Sequence, residues 1–210
     1  RVIHTAITLA VLLVSCRQDD LPDSMPTAHE GYVALRFSAD IPAMQEVVTR
    51  SVDPDGGGVQ DMTLFCFDSY GLFTTTVEAK VTPTGNGAGL TGNFEAEVPE
   101  NTRTVHFLAN QNMSEFKEDK FRNKSEAEVM ALLEGSSGRM IYWARFTCDP
   151  DNDSKIDAQM ADKGNTIKMI RNHAQVSIDN PINGWIEVTG FVAYNTNAFG
   201  TVAPYHPEKG

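Results

Sequence analysis

Short apolar stretches of strand length recur along the chain, and turn-forming Gly, Pro, Asn and Ser residues separate them. Residues 31–38 alternate, with Val33, Leu35 and Phe37 on one face, which predicts a strand with one buried side. Residues 59–68 become apolar on both faces, as in the central strand of a sheet. Because helical runs do not alternate with these stretches, a parallel α/β fold is disfavoured. The sequence therefore predicts a mainly β protein built as an antiparallel β-sandwich.

The remaining segments add further strands and one short helix. Ser125 is expected to begin the helix, because Glu128 three positions later completes a capping box, and Gly135 is expected to end it. Residues 93–98 and 103–110 are expected to pair as neighbouring strands across a short turn. Further strands are predicted at residues 72–81 (the return arm of a hairpin), 140–146, 168–170, 174–178 and 185–194.

Residues 2–14 form an apolar run that is too short to cross a bilayer as a helix, which takes roughly 20 residues. Its length is typical of the apolar part of a signal peptide, and it ends in Leu-Val-Ser-Cys at residues 13–16. This ending resembles the bacterial lipobox, whose cysteine is acylated, for example with palmitate. The alternative, a buried helix with an incidental cysteine, does not explain the polar residues that follow at once. Residues 1–15 are therefore predicted to be a lipoprotein signal peptide, and Cys16 a lipidation site.

Residues 16–30 are predicted to be a flexible tether, because they contain Pro22 and Pro26 and show no periodicity. Acidic Asp19 and Asp20, close to the cysteine, resemble the surface-export signal of Bacteroidetes lipoproteins. A plain solvated linker explains the same residues equally well, so both interpretations stay open.

The chain has 210 residues and a formal net charge of -11. This charge disfavours nucleic acid as a partner, because binding to phosphates requires clustered Lys and Arg. It disfavours electrostatic binding to anionic lipid for the same reason. The hydrophobic fraction of 41% is close to the globular norm, so the chain has enough apolar residues to form a core.

Two cysteines remain once Cys16 is assigned to lipid. An exported protein can hold a disulfide between Cys66 and Cys148. Cys66, however, lies within a predicted buried strand, where a free thiol behaves as a small hydrophobic side chain. The free thiol is the favoured interpretation, and the disulfide is the alternative.

Patterns that carry catalysis are missing from the sequence. None of the five histidines has a partner at metal-ligand spacing, and neither a nucleophile elbow nor a phosphate-binding loop is present. Acidic pairs occur in any acidic chain and indicate no acid–base chemistry by themselves. The sequence therefore predicts a protein that is not an enzyme and that uses no cofactor.

One acidic stretch is a weak candidate for a calcium site. Its oxygen ligands stand at the alternate positions of a calcium-binding loop. The carboxylates are Asp149, Asp151, Asp153 and Asp157. The glycine that such a loop needs for its sharp turn is replaced by Ser154, and its final bidentate glutamate by Met160. An acidic surface loop is therefore the favoured interpretation.

The order of several motifs along the chain resembles a family of surface proteins. The matching residues are Cys16 with its acidic tether, Thr49-Arg50-Ser51, 62–71, 169–178, 189–197 and 200–204. This order is similar to that of the fimbrillin-like lipoproteins of Bacteroidales, which build type V pili. The resemblance implies two transthyretin-like β-sandwich domains, with the N-terminal domain at 31–165 and the start of the second at 166–210.

The resemblance also implies a function in adhesion, as a shaft, tip or anchor subunit of a surface fimbrium exported to the outer membrane. In shaft and tip subunits an Arg-specific protease cuts an early loop, and Arg50-Ser51 stands at the matching position. The cut would release the strand at 31–39, and a strand of a neighbouring pilus subunit would replace it. Anchor subunits keep both the lipid and the first strand.

A second function is compatible with the same export signals. The chain could be a stand-alone surface lipoprotein that binds a glycan or another host or bacterial surface ligand. Such a protein would need exposed aromatic side chains on one sheet face, and Trp143 and Trp185 are its only tryptophans.

Overall fold

The computed structural model describes residues 28–41, 59–83, 92–111, 113–136, 140–172, 190, 192, 194 and 199–203. The strands within these residues are β1 (Tyr32–Asp40), β2 (Met62–Phe67), β3 (Phe73–Glu78), β4 (Lys80–Pro83), β5 (Gly92–Pro99), β6 (Thr104–Ala109), β7 (Glu134–Ser136), β8 (Tyr142–Thr147), β9 (Thr166–Lys168), β10 (Ile170–Arg171) and β11 (Phe199–Thr201). The α-helices are α1 (Glu126–Leu132) and α2 (Ile156–Asp162), and Met113–Glu115 and Glu118–Lys120 form 3-10 turns.

Two sheets pack face to face. One has the strand order β4-β5-β1-β9 and the other β10-β8-β6-β2-β3, while β11 and β7 form a separate two-stranded ribbon. Neighbouring strands are antiparallel except β1 and β9, which run parallel. The inward faces of both sheets contribute to one apolar cluster, so the predicted mainly β sandwich is confirmed.

The central strands β2 and β6 are buried on both faces for a simple reason. Their inward side chains, such as Leu64 and Phe107, lie between the two sheets. Their outward side chains, such as Phe65 and Leu108, pack under α1 and Phe121 in a second apolar cluster. A sheet that is covered on both sides favours central strands that are apolar on both faces, as the sequence at 59–68 predicted.

The chain changes sheet where the sequence predicted simple hairpins. The stretch 72–81 was predicted as one return arm, but it divides at Ala79, whose N–H donates to the carbonyl of Met62 at 2.9 Å. β3 stays beside β2, and β4 joins the other sheet. The predicted pairing of 93–98 with 103–110 is wrong: β5 pairs with β1 and β4, whereas β6 pairs with β2 and β8. The physical reason is burial, because β5 has one buried face and β6 has two.

The predicted helix begins as expected. Ser125 is the N-cap of α1, and its reciprocal bonds with Glu128 form the capping box. The helix ends at Leu132 with Leu133 as its C-cap, close to the predicted end, but Gly135 does not cap it and lies in β7 opposite Gly200 of β11. A second helix, α2, was not predicted. It is short, and Lys155 at its N-cap makes no capping hydrogen bond through its side chain, so the usual start signal is missing.

The described parts of residues 166–210 pair with the first sandwich. β9 lies beside β1, β10 beside β8, and β11 beside β7. Val202 and Ala203 are buried in the cluster under α1. Residues 173–189, which include most of the predicted later strands, lie outside the described residues, so the second domain stays a prediction.

Candidate functional site

The first strand, β1, lies in the interior of its sheet. It pairs antiparallel with β5 along seven residue pairs, from Tyr32 opposite Pro99 to Ser38 opposite Asn93. On its other side it pairs parallel with β9 over three residues, from Ser38 to Asp40. We call the channel that β1 fills, between β5 on one side and β9 with α2 on the other, the β1 slot.

Every second side chain of β1 is buried in the slot. Val33, Leu35, Phe37 and Ala39 are 6%, 1%, 3% and 2% exposed. The ring of Phe37 stacks on Phe94 with centroids 5.4 Å apart. It also meets Phe107 of the opposite sheet edge to face at 5.0 Å. These contacts make Phe37 the main apolar anchor of β1.

The slot is closed on its β9 side by short elements. Ile156 and Met160 of α2 and Ile167 of β9 belong to the same apolar cluster as the inward side chains of β1. The main chain also bridges the two segments, because Ser38 N donates to Asn165 O at 2.8 Å. The wall beside β1 is therefore built from residues 156–168, which are far from β1 in sequence.

The outward face of β1 is polar and solvated. Arg36 lies 3.2 Å from Glu95, and the His29 imidazole lies 2.5 Å from Glu97. The hydrogen bond with Glu97 raises the pKa of His29, and the same bond lowers the pKa of Glu97. Exposed ion pairs contribute little to stability. The retention of β1 therefore depends on its buried side chains and its main-chain ladder.

The predicted processing residues lie outside the described residues. Cys16 lies before residue 28, where the described residues begin, and Arg50 and Ser51 lie in the stretch 42–58, which is also not described. That stretch is the covalent connection between β1 in one sheet and β2 in the other. A cut after Arg50 would leave β1 held to the rest of the protein by noncovalent contacts alone.

A buried polar network, missed in the sequence, lies on the outer side of the other sheet. His106 of β6 is fully buried, and its Nε2 lies 2.5 Å from Oε1 of Glu126 at the start of α1. Arg145 of β8 contacts the same carboxylate at 2.6 Å and 3.3 Å. The indole Nε1 of Trp143 donates to Nδ1 of His106 at 3.0 Å. A histidine within an otherwise apolar strand was the sequence signal that could have indicated the network, and the structure places it opposite Arg145 of β8.

The network fixes the charge state of its histidine. The indole N–H can only donate, so Nδ1 of His106 is the acceptor and Nε2 carries the proton that Glu126 accepts. Burial lowers the pKa of His106, against the opposing effect of Glu126. Burial raises the pKa of Glu126, but the bonds from His106 and Arg145 outweigh it and hold that pKa at about 2. Both ring nitrogens of His106 are hydrogen-bonded within the protein. The network therefore links α1 to the sheet, and neither nitrogen is open for proton transfer to a substrate.

We expect protein stability to fall in two stages on acidification. The pKa of His106 is depressed in the folded state, so its contribution is present above the ordinary value of 6.5 and is lost as the pH falls below it. The contribution of Glu126 is present above its ordinary 4.5 and is lost as the pH falls towards about 2. Urea unfolding at a series of pH values measures both stages.

The matched variant for this pH profile is Trp143→Phe. It frees Nδ1 of His106 to accept a proton, so the loss of stability below pH 6.5 should shrink while the stage below 4.5 remains. The same first stage in both proteins would show that burial of His106, and not the bond from Trp143, keeps the ring from accepting a proton. Nitrogen chemical shifts of the imidazole would report the tautomer directly.

The acidic stretch at 149–157 is organised by protein donors. Asp149 accepts a hydrogen bond from the N–H of Asp151 at 3.0 Å. Gln159 of α2 donates to the carbonyls of Asn152 and Ser154 at 3.0 Å and 2.9 Å. Among the described residues, no three His, Cys, Asp or Glu side chains stand together as metal ligands would.

The four candidate calcium ligands are separated by this local structure. Asp157 lies in the first turn of α2, because the helix begins at Ile156. The exposed Asp151 and Asp153 stay in the preceding loop. The four carboxylates are thus divided between the loop and the helix, and the acidic surface loop stays the favoured interpretation.

Cys66 and Cys148 are both free and buried, as the preferred interpretation of Cys66 expected. Burial raises the pKa of the Cys66 thiol to about 12 and raises that of Cys148. A thiol with a raised pKa is a poor nucleophile near neutral pH. Both cysteines therefore serve as small core side chains.

Trp143 does not offer a stacking surface of the kind that the glycan-binding alternative needs. Its indole is part-buried, bonded to His106 and packed against the cluster under α1. Trp185 lies outside the described residues. Within the part of the chain that the structure describes, no helix is both long and apolar enough to span a membrane.

Comparison with known proteins does not show the family of this chain. No protein-family model matches the sequence, and no characterised protein matches it. A solved structure with partial similarity is the crystal structure of a fimbrial assembly protein from Parabacteroides distasonis ATCC 8503. It is 13% identical, with a TM-score of 0.28, and the match covers 67% of this chain and 54% of that one. This chain thus spans about half the length of that protein, and a likeness this slight carries no argument about function.

Proposed function

We propose that this chain is a non-catalytic structural or adhesive subunit of a surface pilus, assembled by exchange of β1 for a strand of a neighbouring subunit. The observation that supports this proposal best is the position of β1. It pairs with β5 over seven residues and with β9 over its last three, its inward face is buried, and its connection to β2 contains Arg50-Ser51. A single cut in that connection would turn an internal strand into a replaceable one.

The energetics of the slot favour occupation by some strand at all times. Burial of a large apolar side chain stabilises a protein by about 1.5–3 kcal/mol, and β1 buries Val33, Leu35 and Phe37. An empty slot would expose these partner surfaces together with the unpaired edge of β5. Such an edge pairs readily with other chains, so keeping β1 in place until assembly prevents premature aggregation.

The incoming strand must match the pattern of β1. It needs apolar residues at alternate positions, with a large ring at the position of Phe37 and a small residue at that of Ala39. Main-chain bonds to β5 would supply affinity and the alternate side chains would supply register. The partner of this proposal is therefore another pilus subunit that carries an alternating apolar strand.

The lipid anchor completes the proposal. Acylation at Cys16 would hold the chain at the outer membrane through the tether at 16–30. A cut after Arg50 would release both the anchor and β1, which are on the same side of that bond. Shaft or tip subunits would be cut, and an anchor subunit would keep both.

The proposal is tested by intact mass and N-terminal sequencing of the protein taken from its native cell surface. A mature form that begins at Ser51 would establish removal of the anchor and β1 and a place within the fibre. A form that begins at acylated Cys16 would leave an anchor subunit or a stand-alone lipoprotein, and the exchange of β1 would be abandoned.

Strand exchange itself can be measured with purified protein. After Arg-specific proteolysis, the cut protein should bind a labelled peptide of residues 30–41, while an Arg50→Ala protein, left uncut at this site, should not. A peptide in which Asp replaces Phe37 is the matched control and should fail to enter, because the ring position is buried against Phe94 and Phe107. Equal binding of the peptide by cut and uncut proteins would contradict the exchange.

A further inference from the structure

The edges of the two sheets differ in how open they are. β4 has four residues and ends at Pro83, β9 has three residues, and β10 has two. β3, at the end of the five-stranded sheet, has six residues and pairs with β2 on one side alone among the described strands. It is the longest of the four terminal strands of the two sheets and the terminal strand most suited to pairing with another chain.

The sequence of β3 favours pairing. Three consecutive threonines, Thr74, Thr75 and Thr76, are residues with a high strand propensity. An antiparallel contact between two copies of β3 would place threonines opposite threonines, which is a favourable cross-strand pair. The single charge of the strand, Glu78, would lie at opposite ends of the two strands and would meet no like charge.

The Glu118 side chain covers the middle of this edge. Its Oε1 accepts a hydrogen bond from the hydroxyl of Thr75 at 2.6 Å and from the backbone N–H of Thr76 at 3.3 Å. Since the Thr76 N–H donates to Glu118, it points away from β2 and out of the sheet. The carboxylate therefore occupies a main-chain donor that an added strand would need.

The position of Glu118 is held by the residue that follows its 3-10 turn. Phe121 is fully buried, and its ring lies 5.4 Å from that of Phe73 in β3 and 5.5 Å from that of Phe65 in β2. The turn is thus fastened to the edge strand by apolar contacts. These contacts of Phe121 hold the Glu118 carboxylate beside Thr75 and Thr76.

We propose that Glu118 is an edge guard, which prevents β3 from pairing with β3 of a second copy of this chain. In an assembly through two copies, both Glu118 carboxylates would have to leave Thr76 and would approach each other across the two-fold axis. The repulsion between the two carboxylates and the loss of their hydrogen bonds to Thr76 would both disfavour this assembly. The inference concerns the folded, uncut chain and does not depend on the exchange of β1. In a protein whose β1 slot accepts a strand of another subunit, Glu118 would prevent such a strand from pairing with β3 instead.

Sedimentation velocity of the uncut protein over a concentration series tests the guard. Glu118→Ala should strengthen self-association about tenfold relative to wild type. In this variant, association no longer breaks the hydrogen bond between Glu118 and Thr76 and no longer brings two carboxylates together. Asp119→Ala is the matched control, because the neighbouring Asp119 is exposed and pairs with Arg122 at 3.0 Å. It should stay as monomeric as wild type.

A second variant identifies the surface that associates. Adding Thr76→Pro to Glu118→Ala removes the outward N–H, and proline is tolerated on edge strands, so the monomer should return. At concentrations low enough to keep both proteins monomeric, hydrogen exchange of the Thr76 amide should be faster in Glu118→Ala than in wild type. The proposal is overturned if Glu118→Ala stays monomeric, or if its association survives Thr76→Pro.

Discussion

Replacement of Phe37 by alanine is expected to lower the free energy of unfolding by about 3–5 kcal/mol. The Phe37 ring is 3% exposed, so its removal leaves a cavity between Phe94 and Phe107, which belong to different sheets. The rigid ladder of β1 and β5 prevents the walls from closing over that cavity. Urea denaturation of the uncut protein measures the loss.

The control for this variant lies on the same strand. Arg36 is the neighbouring residue, but it faces solvent and pairs with Glu95 at 3.2 Å, so Arg36→Ala should cost less than about 1 kcal/mol. If both variants had the same small effect, β1 would not be anchored by its buried face. The β1 slot would then not select an aromatic residue at the position of Phe37.

The contrast between these two neighbours explains why β1 could be predicted from the sequence. Alternation between Val33, Leu35 and Phe37 on one side and polar residues on the other is a local pattern, and it needs no knowledge of the partner strands. The capping box at Ser125 and Glu128 was predictable for the same reason, since both residues lie within one turn. Local chemistry therefore predicted these two elements, whereas α2, which lacks a side-chain cap, was missed.

Pairing between elements was less accessible, because it depends on residues far apart in sequence. The strands at 93–98 and 103–110 differ in how many faces are buried, but neither pattern identifies the partner strands, and the parallel partner of β1 comes from 166–168. The polar network was missed because its members, His106 and Glu126 among them, are ordinary residues until the fold brings them together. Glu118 was overlooked for the same reason, since it is 42 residues from Thr76.

The polar network gives the second large expected effect: Glu126→Ala should lower the free energy of unfolding by about 3 kcal/mol. The carboxylate is 12% exposed and accepts hydrogen bonds from His106 and Arg145 at once. Its removal leaves the Nε2–H of a fully buried imidazole without this acceptor and the Arg145 guanidinium, 21% exposed, without this counter-charge. Thermal and urea unfolding measure the effect.

The comparison that isolates the network is Glu128→Ala on the same helix. Glu128 caps α1 through Ser125 at the surface, so its loss weakens the helix start without touching His106, and the cost should be clearly smaller. In Glu126→Ala the acid stage of the stability profile below pH 4.5 should also shrink, because the carboxylate whose pKa is held at about 2 is gone. A cost no greater than that of Glu128→Ala, with the acid stage intact, would mean that α1 is held by Val129, Met130 and the apolar cluster alone, and that the buried charges contribute nothing to its attachment.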